Sequence, residues 1–342
     1  MPDTKQNKVP GWMPSCSLEA MKARAEVYAS IRAFFYARDV LEVETPLLSK
    51  STATDPFLDS IQAHLSESHG LPTQTYFLHT SPEFPMKRLL AAGSGAIYQI
   101  CKTFRNAETG HRHNPEFTML EWYRPGFDMT QLMFEVSDLV ACVLNRPSIM
   151  PDTLSYREVF LKFLDIDPFL VSDAELITLA QDKAGYLISE DSINNSNRDD
   201  YLNLLLSICI EPYLGKNEKG DMEPVFLYGY PPSQASLAKL KKDEFGQDIA
   251  ERFELYINGL EIANGYFELT DAEEQRARFK KDNEYRKSLD LPVIPMDKNL
   301  LEALAEGMPA CSGVALGVDR LLMIKLNKSS IEEVISFPIA RA

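Results

Sequence analysis

The 342-residue sequence has no long apolar run, few cysteines and no cluster of basic residues. No apolar stretch approaches the roughly 18–20 residues that a membrane-spanning helix needs, and the N-terminal residues lack the apolar core of a signal peptide. The five cysteines are scattered and form no CxxC pair, so neither a disulfide framework nor a zinc ribbon is predicted. These absences favour a cytoplasmic protein with free thiols and no membrane partner.

An excess of basic charge and glycine-rich nucleotide loops are also missing. The formal net charge is −15, and a protein that grips a long nucleic acid usually carries a basic footprint. The balance therefore weighs against an extensive tRNA surface, although a local basic patch is compatible with it. Neither GxGxxG nor GxxxxGK[ST] occurs, so a Rossmann or P-loop nucleotide site has no support. With 45% hydrophobic and 25% charged residues, the composition is typical of a globular protein.

Apolar periodicity predicts an α+β domain. Apolar residues at helical spacing over 18–40 predict an amphipathic helix, which leads into the extended segment Leu41–Pro46. Further along, the pattern predicts strands over 76–125, helices over 130–230 with a polar loop at Ser189–Asp200, strands over Phe226–Leu269, a charged helix over Asp271–Leu289 and a strand–helix unit over Ser312–Lys325. Polar, chemically active segments lie towards both ends and have to meet in space. This favours one domain over residues 1–342, built around a central antiparallel sheet.

The densest group of reactive residue types lies between Thr103 and Pro125. As two antiparallel strands around a loop, this segment places Phe117, Met119, Glu121 and Tyr123 on one face. The ring would stack a flat base, the acid and the phenol would hold an ammonium, and Arg105 would reach a phosphate. The residues alone leave a second interpretation equally open, a half-buried strand with Glu121 in a salt bridge.

A second group lies around Asn258-Gly259, which predicts a type I′ hairpin between two alternating runs. Glu254 and Glu261 then share a face as diagonal neighbours, about 7–8 Å apart at Cα. Two carboxylates so placed repel unless a cation lies between them, and Mg²⁺ with nucleotide phosphates would suit. Alternatively, one carboxylate pairs with an arginine such as Arg252 or Arg105.

A third group follows Cys311. The small residues Gly313, Ala315 and Gly317 make a strand face that another group can approach closely. A helix begins directly afterwards, with Asp319 and Arg320 in its first turn. Arginine is not the charge that a helix N-terminus favours, and a bound anion would explain it.

Together these groups resemble the signature motifs of class II aminoacyl-tRNA synthetases. Residues of about 21–46 resemble motif 1, about 103–125 motif 2 and about 312–325 motif 3. The run Arg-His-Asn-Pro-Glu-Phe-Thr-Met-Leu-Glu ending at Glu121, and Glu-x-x-Asn-Gly at Glu261, resemble the lysyl branch. The similarity extends from about Met21 to Met323 and implies the class II catalytic fold.

Lysyl-tRNA synthetases carry an N-terminal anticodon-binding barrel, for which motif 1 within the first 25 residues leaves no room, so no such domain is expected. The chain resembles the truncated elongation factor P (R)-β-lysine ligases, also through Ser81–Leu90 and Ser233–Ala238. Ala315 fits them too, because lysyl-tRNA synthetases have glycine there. The resemblance implies activation of (R)-β-lysine with ATP and Mg²⁺, transfer to a lysine of elongation factor P, a homodimer and no tRNA. The alternatives are an enzyme that charges tRNA with lysine, or a non-catalytic regulatory paralogue.

The resemblance also implies a role for individual residues. Arg105 would contact the α-phosphate and the substrate carboxylate, Arg320 the γ-phosphate and Phe117 the adenine, and the two arginines would be catalytic. The other implied ATP-binding positions are Asn106, Ala107, His113, Asn114, Glu254, Leu255 and Gly317. The implied amino-acid pocket consists of Ser81, Pro82, Glu83, Glu121, Tyr123, Glu261, Asn264, Glu268 and Ala315. Glu254 and Glu261 would hold Mg²⁺.

Two positions conflict with this assignment. Strict alternation places Asn264 and Glu268 on the face opposite Glu261, so the assignment requires a β-bulge near Asn264-Gly265. The family also has glutamate where this chain has Ala107, at the adenine. Either Glu108 substitutes for that glutamate or the affinity for ATP falls.

Overall fold

The computed structural model describes residues 10–66, 68, 72–148, 150–185 and 196–342. Its helices are α1 (Leu18–Tyr36), α2 (Glu83–Ala91), α3 (Met129–Leu144), α4 (Tyr156–Leu164), α5 (Asp173–Ala184), α6 (Arg198–Leu205), α7 (Ala272–Ser288), α8 (Lys298–Gly307) and α9 (Val318–Leu326). Its strands are β1 (Leu41–Glu42), β2 (Leu48–Ser49), β3 (Gln62–Ser66), β4 (Thr73–Leu78), β5 (Ile97–Phe104), β6 (Glu116–Pro125), β7 (Asp152–Ser155), β8 (Val225–Tyr230), β9 (Leu240–Lys242), β10 (Asp248–Ile257), β11 (Leu260–Phe267) and β12 (Cys311–Gly317).

A nine-stranded sheet in the order β1-β5-β6-β12-β11-β10-β8-β7, with β9 paired to β10, forms the centre of the fold. Its central pairs are antiparallel, as predicted. At the two ends of the sheet β1 pairs with β5 and β7 with β8 in parallel, which the sequence did not indicate. Strands β2, β4 and β3 form a separate small sheet. The α+β class is confirmed.

One face of the central strands packs in the hydrophobic core, and the other lines a cavity. On one face Leu120, Trp122, Val314 and Leu316 pack with α1, α3 and α9 in the largest hydrophobic core. The alternate residues of the same strands point to the other face and line a cavity. Strand periodicity therefore separates the apolar side chains that stabilise the sheet from the polar ones that line the cavity.

The hairpin between β10 and β11 carries the predicted turn and a bulge. Asn258 and Gly259 both have positive φ, 53° and 71°, as a type I′ turn requires. Tyr256 pairs with Glu261, but Leu255 pairs with Ala263, so Ile262 is the extra residue. The predicted bulge is confirmed, although it lies two residues before Asn264. As a result Glu261 and Asn264 both line the cavity.

Three other regions differ from the sequence predictions or lie partly outside the described residues. Residues 83–91 within the predicted strand region form helix α2, where Glu83 at the N-terminal turn and Lys87 one turn later are helical neighbours. Of the predicted polar loop, 189–195 lie outside the described residues and 198–200 begin helix α6. Helix α8 was not predicted at all, although it buries Leu300, Leu301 and Leu304.

The remaining predictions about composition agree with the described residues. All five cysteines are free. None of the helices within the described ranges combines the length and apolar content that a bilayer crossing requires.

Candidate active site

A cavity of about 1060 Å³ lies on the polar face of β6, β12, β11 and β10. Its lining includes most of the residues predicted for the site, namely Ser81, Glu83, Arg105, His113, Asn114, Phe117, Glu121, Tyr123, Glu254, Glu261, Asn264, Glu268, Ala315, Gly317 and Arg320. Pro82, Asn106, Ala107 and Leu255 are not among them. Leu255 packs in the hydrophobic core, so it can offer a ligand in the cavity only backbone atoms.

One end of the cavity is acidic. Glu121, 2% exposed, accepts hydrogen bonds from Ser81 Oγ and Tyr123 OH, both at 2.7 Å. No lysine or arginine of the described residues pairs with it, so the alternative of a salt-bridged Glu121 is not what the structure has. Burial raises the pKa of Glu121 to about 8, and the charge of Glu83 adds to the effect. A ligand ammonium beside Glu121 would supply the missing cation.

A buried lysine joins the other two carboxylates of this end. Lys87 Nζ lies 2.6 Å from Glu83 Oε1 and 2.6 Å from Glu268 Oε2. Burial alone would lower the pKa of Lys87, but the charges of Glu268 and Glu83 outweigh it and hold the pKa above its ordinary value. Lys87 is therefore a permanent cation within an acidic pocket. The sequence interpretation gave it no role, although Glu83 and Lys87 at i and i+4 on a helix were the signal.

Close packing and an unsatisfied acceptor complete the acidic end. A side chain at Gly313 would overlap Glu268 Oε1 and the ring of Tyr123, which explains the small residue there. Ala315 lies between Asn264 of β11 and Glu121 of β6 in the sheet, on the wall of the cavity. Asn264 Oδ1 is buried and finds no hydrogen-bond donor among the described residues. A bound ammonium would satisfy it.

The other end of the cavity carries arginines. Arg105 follows β5, and its guanidinium lies 5.1 Å from the centroid of the Phe117 ring. Its Nη1 is 3.6 Å from Glu108 Oε1, and its buried Nε finds no partner within the described ranges. Glu108 also lines the cavity. A planar donor with a free N–H beside an aromatic ring suits a phosphate next to a stacked base.

Arg320 is held by two residues at the same end. Its Nη1 donates to the Glu261 backbone oxygen at 2.9 Å and lies 3.4 Å from Glu261 Oε2. Its Nη2 is 2.7 Å from His113 Nε2. Because arginine only donates, His113 Nε2 accepts and carries no proton. Arg320 thus stands in the first turn of α9 with its fork at the cavity, as predicted.

The carboxylate of Glu254 is fully hydrogen-bonded. It accepts from Arg252 Nη2 at 2.6 Å and Asn264 Nδ2 at 3.2 Å on one oxygen. On the other it accepts from Tyr230 OH at 2.5 Å and Tyr256 OH at 2.7 Å. The alternative in which one carboxylate pairs with Arg252 is therefore the arrangement in this structure.

These contacts decide how well the two glutamates fit a magnesium ion. Glu261 fits as an oxygen ligand, because among the described residues its partly exposed carboxylate has only the long contact to Arg320. Glu254 would first have to give up a hydrogen bond. Within the part of the chain that the structure describes, no group of three or more metal-ligating side chains is present. A metal at this end would thus need phosphate oxygens as further ligands.

A third carboxylate at this end was missed in the sequence. Glu211 lines the cavity and accepts from Tyr256 OH at 3.0 Å. Burial raises its pKa to about 7, and the charge of Glu254 adds to the effect. Glu211 lies in a short helical turn after α6 that packs under the β10–β11 hairpin. No local pattern marks it, because only the tertiary fold brings it there.

The three signature segments are tied together by Asp319. Its Oδ1 accepts from Arg24 Nη2 at 2.5 Å, and its Oδ2 accepts from the backbone N–H of Thr118 at 2.6 Å. Arg24 lies in α1, Thr118 in β6 and Asp319 in α9. The buried pair fixes the start of α9, and with it Arg320, against the strand that carries Phe117.

The loop between β5 and β6 is anchored at several points. Asn106 donates from its backbone N–H and from Nδ2 to Asp59, at 2.8 and 2.7 Å. Ala107 is exposed, with φ of 60°. Asn114 donates to the Glu116 backbone oxygen and accepts from the backbone N–H of Ile339. In this structure the Asn114 side chain therefore holds the loop in place.

Two arginines and an aromatic ring at one end of a cavity, with three glutamates at the other, match the resemblance seen in the sequence. The family model for tRNA synthetases class II (D, K and N) matches residues 12–341. The chain belongs to this class II synthetase family.

Curated relatives in the family are similar along nearly their whole length. The chain is 47% identical over 331 residues to a protein of Pectobacterium carotovorum subsp. carotovorum (strain PC1), and 48% identical over 331 residues to one of Edwardsiella ictaluri (strain 93-146). In both cases the match covers 97% of this chain and 98% of the relative. A protein of Salmonella typhi is 47% identical over 335 residues, 97% of this chain and 98% of its own. All three relatives are named elongation factor P (R)-β-lysine ligase.

Proposed function

We propose that the chain activates (R)-β-lysine with ATP and transfers it to a lysine side chain of elongation factor P. The observation that carries the proposal is one continuous cavity with an acidic end for ammonium groups and an arginine end for phosphates and a carboxylate. The names of the relatives supply the substrate and the acceptor.

The first step is the attack of a substrate carboxylate oxygen on the α-phosphorus of ATP. A new P–O bond forms, the bond from the α-phosphorus to the bridging oxygen breaks, and pyrophosphate leaves. The nucleophile is already anionic, so no base is required. Arg105 orients the carboxylate and the α-phosphate, and Arg320 neutralises charge on the leaving pyrophosphate. Catalysis then rests on positioning and electrostatic stabilisation.

Mg²⁺, when bound, would neutralise further phosphate charge, with Glu261 as the protein ligand and Glu254 behind it. Glu254 also orients Asn264 and the two tyrosines at this end. Phe117 offers the face on which adenine stacks, with Arg105 moving from the ring to the phosphate.

In the second step the amine of an acceptor lysine attacks the carbonyl of the adenylate. A C–N bond forms, the bond to the phosphate oxygen breaks and AMP leaves. The amine loses its proton to solvent or product phosphate.

The motif 1 region supports a homodimer. Tyr36 and Leu41, at the end of α1 and in β1, are 85% and 57% exposed, beside the exposed ion pair of Arg32 with Glu42. Large exposed apolar side chains on this scale mark an interaction surface. Sedimentation velocity of the wild type and of Tyr36→Glu tests this, and a wild-type monomer at micromolar concentration would refute it.

The decisive experiment compares substrates and acceptors in parallel. ATP–pyrophosphate exchange is measured with (R)-β-lysine and with lysine, and transfer is then measured to elongation factor P and to tRNA. Exchange with (R)-β-lysine and transfer to elongation factor P are expected. Transfer to tRNA alone would favour a tRNA-charging enzyme. Absence of exchange with both isomers would favour a regulatory paralogue.

A further inference from the structure

The acidic end of the cavity contains one lysine ammonium and three glutamate carboxylates of the protein. Lys87 and Glu83 lie on α2, Glu121 lies in β6 and Glu268 follows β11. Lys87 is 1% exposed, and its stem packs beside Met86 and Leu90 on the buried side of α2. A lysine buried to this extent is rare unless it is paired, and here it is paired twice.

The double pairing links two separate elements. Glu83 is one helical turn from Lys87, whereas Glu268 lies 181 residues along the chain. One oxygen of each carboxylate binds Lys87, so each carboxylate keeps a second oxygen for a ligand. Glu121 lies beside them with two hydroxyl donors and, within the described part of the chain, no cation.

The net charge of the acidic end follows from its ionised side chains. When all three carboxylates are ionised, as they are opposite bound ammonium groups, the one lysine ammonium leaves a deficit of two positive charges. A substrate with two ammonium groups fills that deficit, and a substrate with one does not. Buried charges are tolerated only when they are paired, so the count selects the substrate.

We propose that Lys87 is a positioning residue that matches the acidic pocket to a substrate with two ammonium groups. Its ammonium neutralises one of the two negative charges of Glu83 and Glu268, and it holds both carboxylates towards the cavity. The inference rests on the proposed function, because it concerns how that function's diamino acid is recognised.

The other titratable side chains around this cluster stay neutral between pH 6 and 8. They are Tyr123 of β6, Tyr266 of β11, Cys101 of β5 and Cys311 of β12. Burial raises the pKa of each above its ordinary value, to about 12 for Tyr266 and Cys101. Only Glu83, Glu121, Glu268 and Lys87 therefore enter the count.

The test uses the full chain with Lys87→Met, which keeps the stem without the charge, and Lys87→Arg, which keeps the charge. In Lys87→Met we expect the KM for (R)-β-lysine to rise about 100-fold with an unchanged KM for ATP. The ratio of that KM to the wild-type KM is smaller at pH 6 than at pH 8, because Glu268, whose pKa burial raises to about 7, takes up a proton that replaces the lost charge. In Lys87→Arg the KM stays within about tenfold of the wild type, without this pH dependence.

A double variant separates charge from packing. Lys87→Met combined with Glu83→Gln restores the charge count, so its KM is expected to be lower than that of Lys87→Met alone. Equal KM values for the Met and Arg variants, or no recovery in the double variant, would overturn the proposal. A rise in both KM values together with a lower melting temperature in all three variants would also overturn it, as the mark of a purely structural lysine.

Calorimetric binding of (R)-β-lysine and lysine without ATP separates the two proposals. If the wild type binds these diamino acids but catalyses no exchange, the proposed function is refuted. The order of the affinities of the Lys87 variants for (R)-β-lysine then still tests the positioning role of Lys87. If exchange is normal and the Lys87 variants bind as the wild type does, only the Lys87 proposal falls.

Discussion

The two ends of the cavity are built on different principles. At the acidic end, Glu83, Glu121 and Glu268 are held by buried partners at 2.6–2.7 Å. At the arginine end, Arg105 has a 3.6 Å contact to Glu108, lies over an aromatic ring, and has an Nε with no partner among the described residues. The difference indicates that the proposed amino-acid pocket is formed before any ligand arrives, whereas Arg105 at the proposed phosphate site is held by contacts that a ligand can replace.

The largest effect is expected from removing Arg105. Because it would face the charge that develops on the α-phosphate, Arg105→Ala should lower kcat/KM for pyrophosphate exchange by about 10³-fold. Binding of (R)-β-lysine without ATP, measured by calorimetry, should change little. Arg276→Ala on the exposed side of α7 is the matched control. Normal exchange in Arg105→Ala would contradict the assignment of the arginine end.

A methyl group at Gly313 tests how rigid the acidic end is. It would overlap Glu268 and Tyr123, so Gly313→Ala should raise the KM for (R)-β-lysine about 100-fold while the KM for ATP stays unchanged. Gly11→Ala, where a methyl group meets nothing within 4 Å, is the control. An unchanged KM would mean that the acidic end adjusts as easily as the arginine end.

We propose that Ala315 sets which diamino acid fits the pocket. Its methyl group lies on the cavity wall between Asn264 and Glu121, so Ala315→Gly should make room for an α-amino group. The ratio of kcat/KM for lysine to that for (R)-β-lysine should rise by about 10- to 200-fold. A ratio that stays at the wild-type value would remove Ala315 from the specificity pocket.

Proton release measures the state of Glu121. Its pKa of about 8 means that the free enzyme carries a proton there at pH 7, and an incoming ammonium displaces it. The affinity for (R)-β-lysine should therefore increase as the pH is raised towards 8, by up to about tenfold per pH unit. Calorimetry in buffers of different ionisation heat should show close to one proton released, and clearly less in Glu121→Gln. Equal release by the two proteins would contradict this.

The same pKa has a consequence for stability. A carboxyl whose pKa is raised in the folded state binds its proton there while the unfolded chain has lost it. The free energy of unfolding of the ligand-free protein should thus fall as the pH rises from about 4.5 to 8. In Glu121→Gln the fall should be shallower. Urea titrations at pH 5 and pH 8 measure the difference.

The smallest effect is expected at Glu108. A contact of 3.6 Å between partly exposed groups contributes little, so Glu108→Gln should change the KM for ATP less than about fivefold. A change of 100-fold would show instead that Glu108 contacts the nucleotide and substitutes for the glutamate missing at Ala107.

Local patterns predicted the features that depend on neighbouring residues. Period two placed Phe117, Met119, Glu121 and Tyr123 on one face, and Asn258-Gly259 predicted the turn. Apolar periodicity also predicted the α+β class, and the assignment of the three signature segments followed from the resemblance.

Features that depend on distant residues were missed. The pairing of Lys87 with Glu268 and that of Arg24 with Asp319 join residues that only the folded chain brings together. The parallel pairing of β1 with β5 is set by long connections that local periodicity does not report. The bulge was inferred from a conflict between two assignments, and its position depends on packing: both Ile262 and Ala263 enter the core.

The bulge in β11 determines the direction of two side chains that have different proposed ligands. In the proposed function Glu261 contacts the phosphates and Asn264 the amino acid, and the one unpaired residue between them lets both side chains point the same way. Without the bulge, strict alternation over the same residues would turn Asn264 into the core and Ala263 into the cavity. We therefore expect homologous enzymes that keep this chemistry to vary freely in the loops around the cavity, and to keep a bulge wherever two residues separate these two positions.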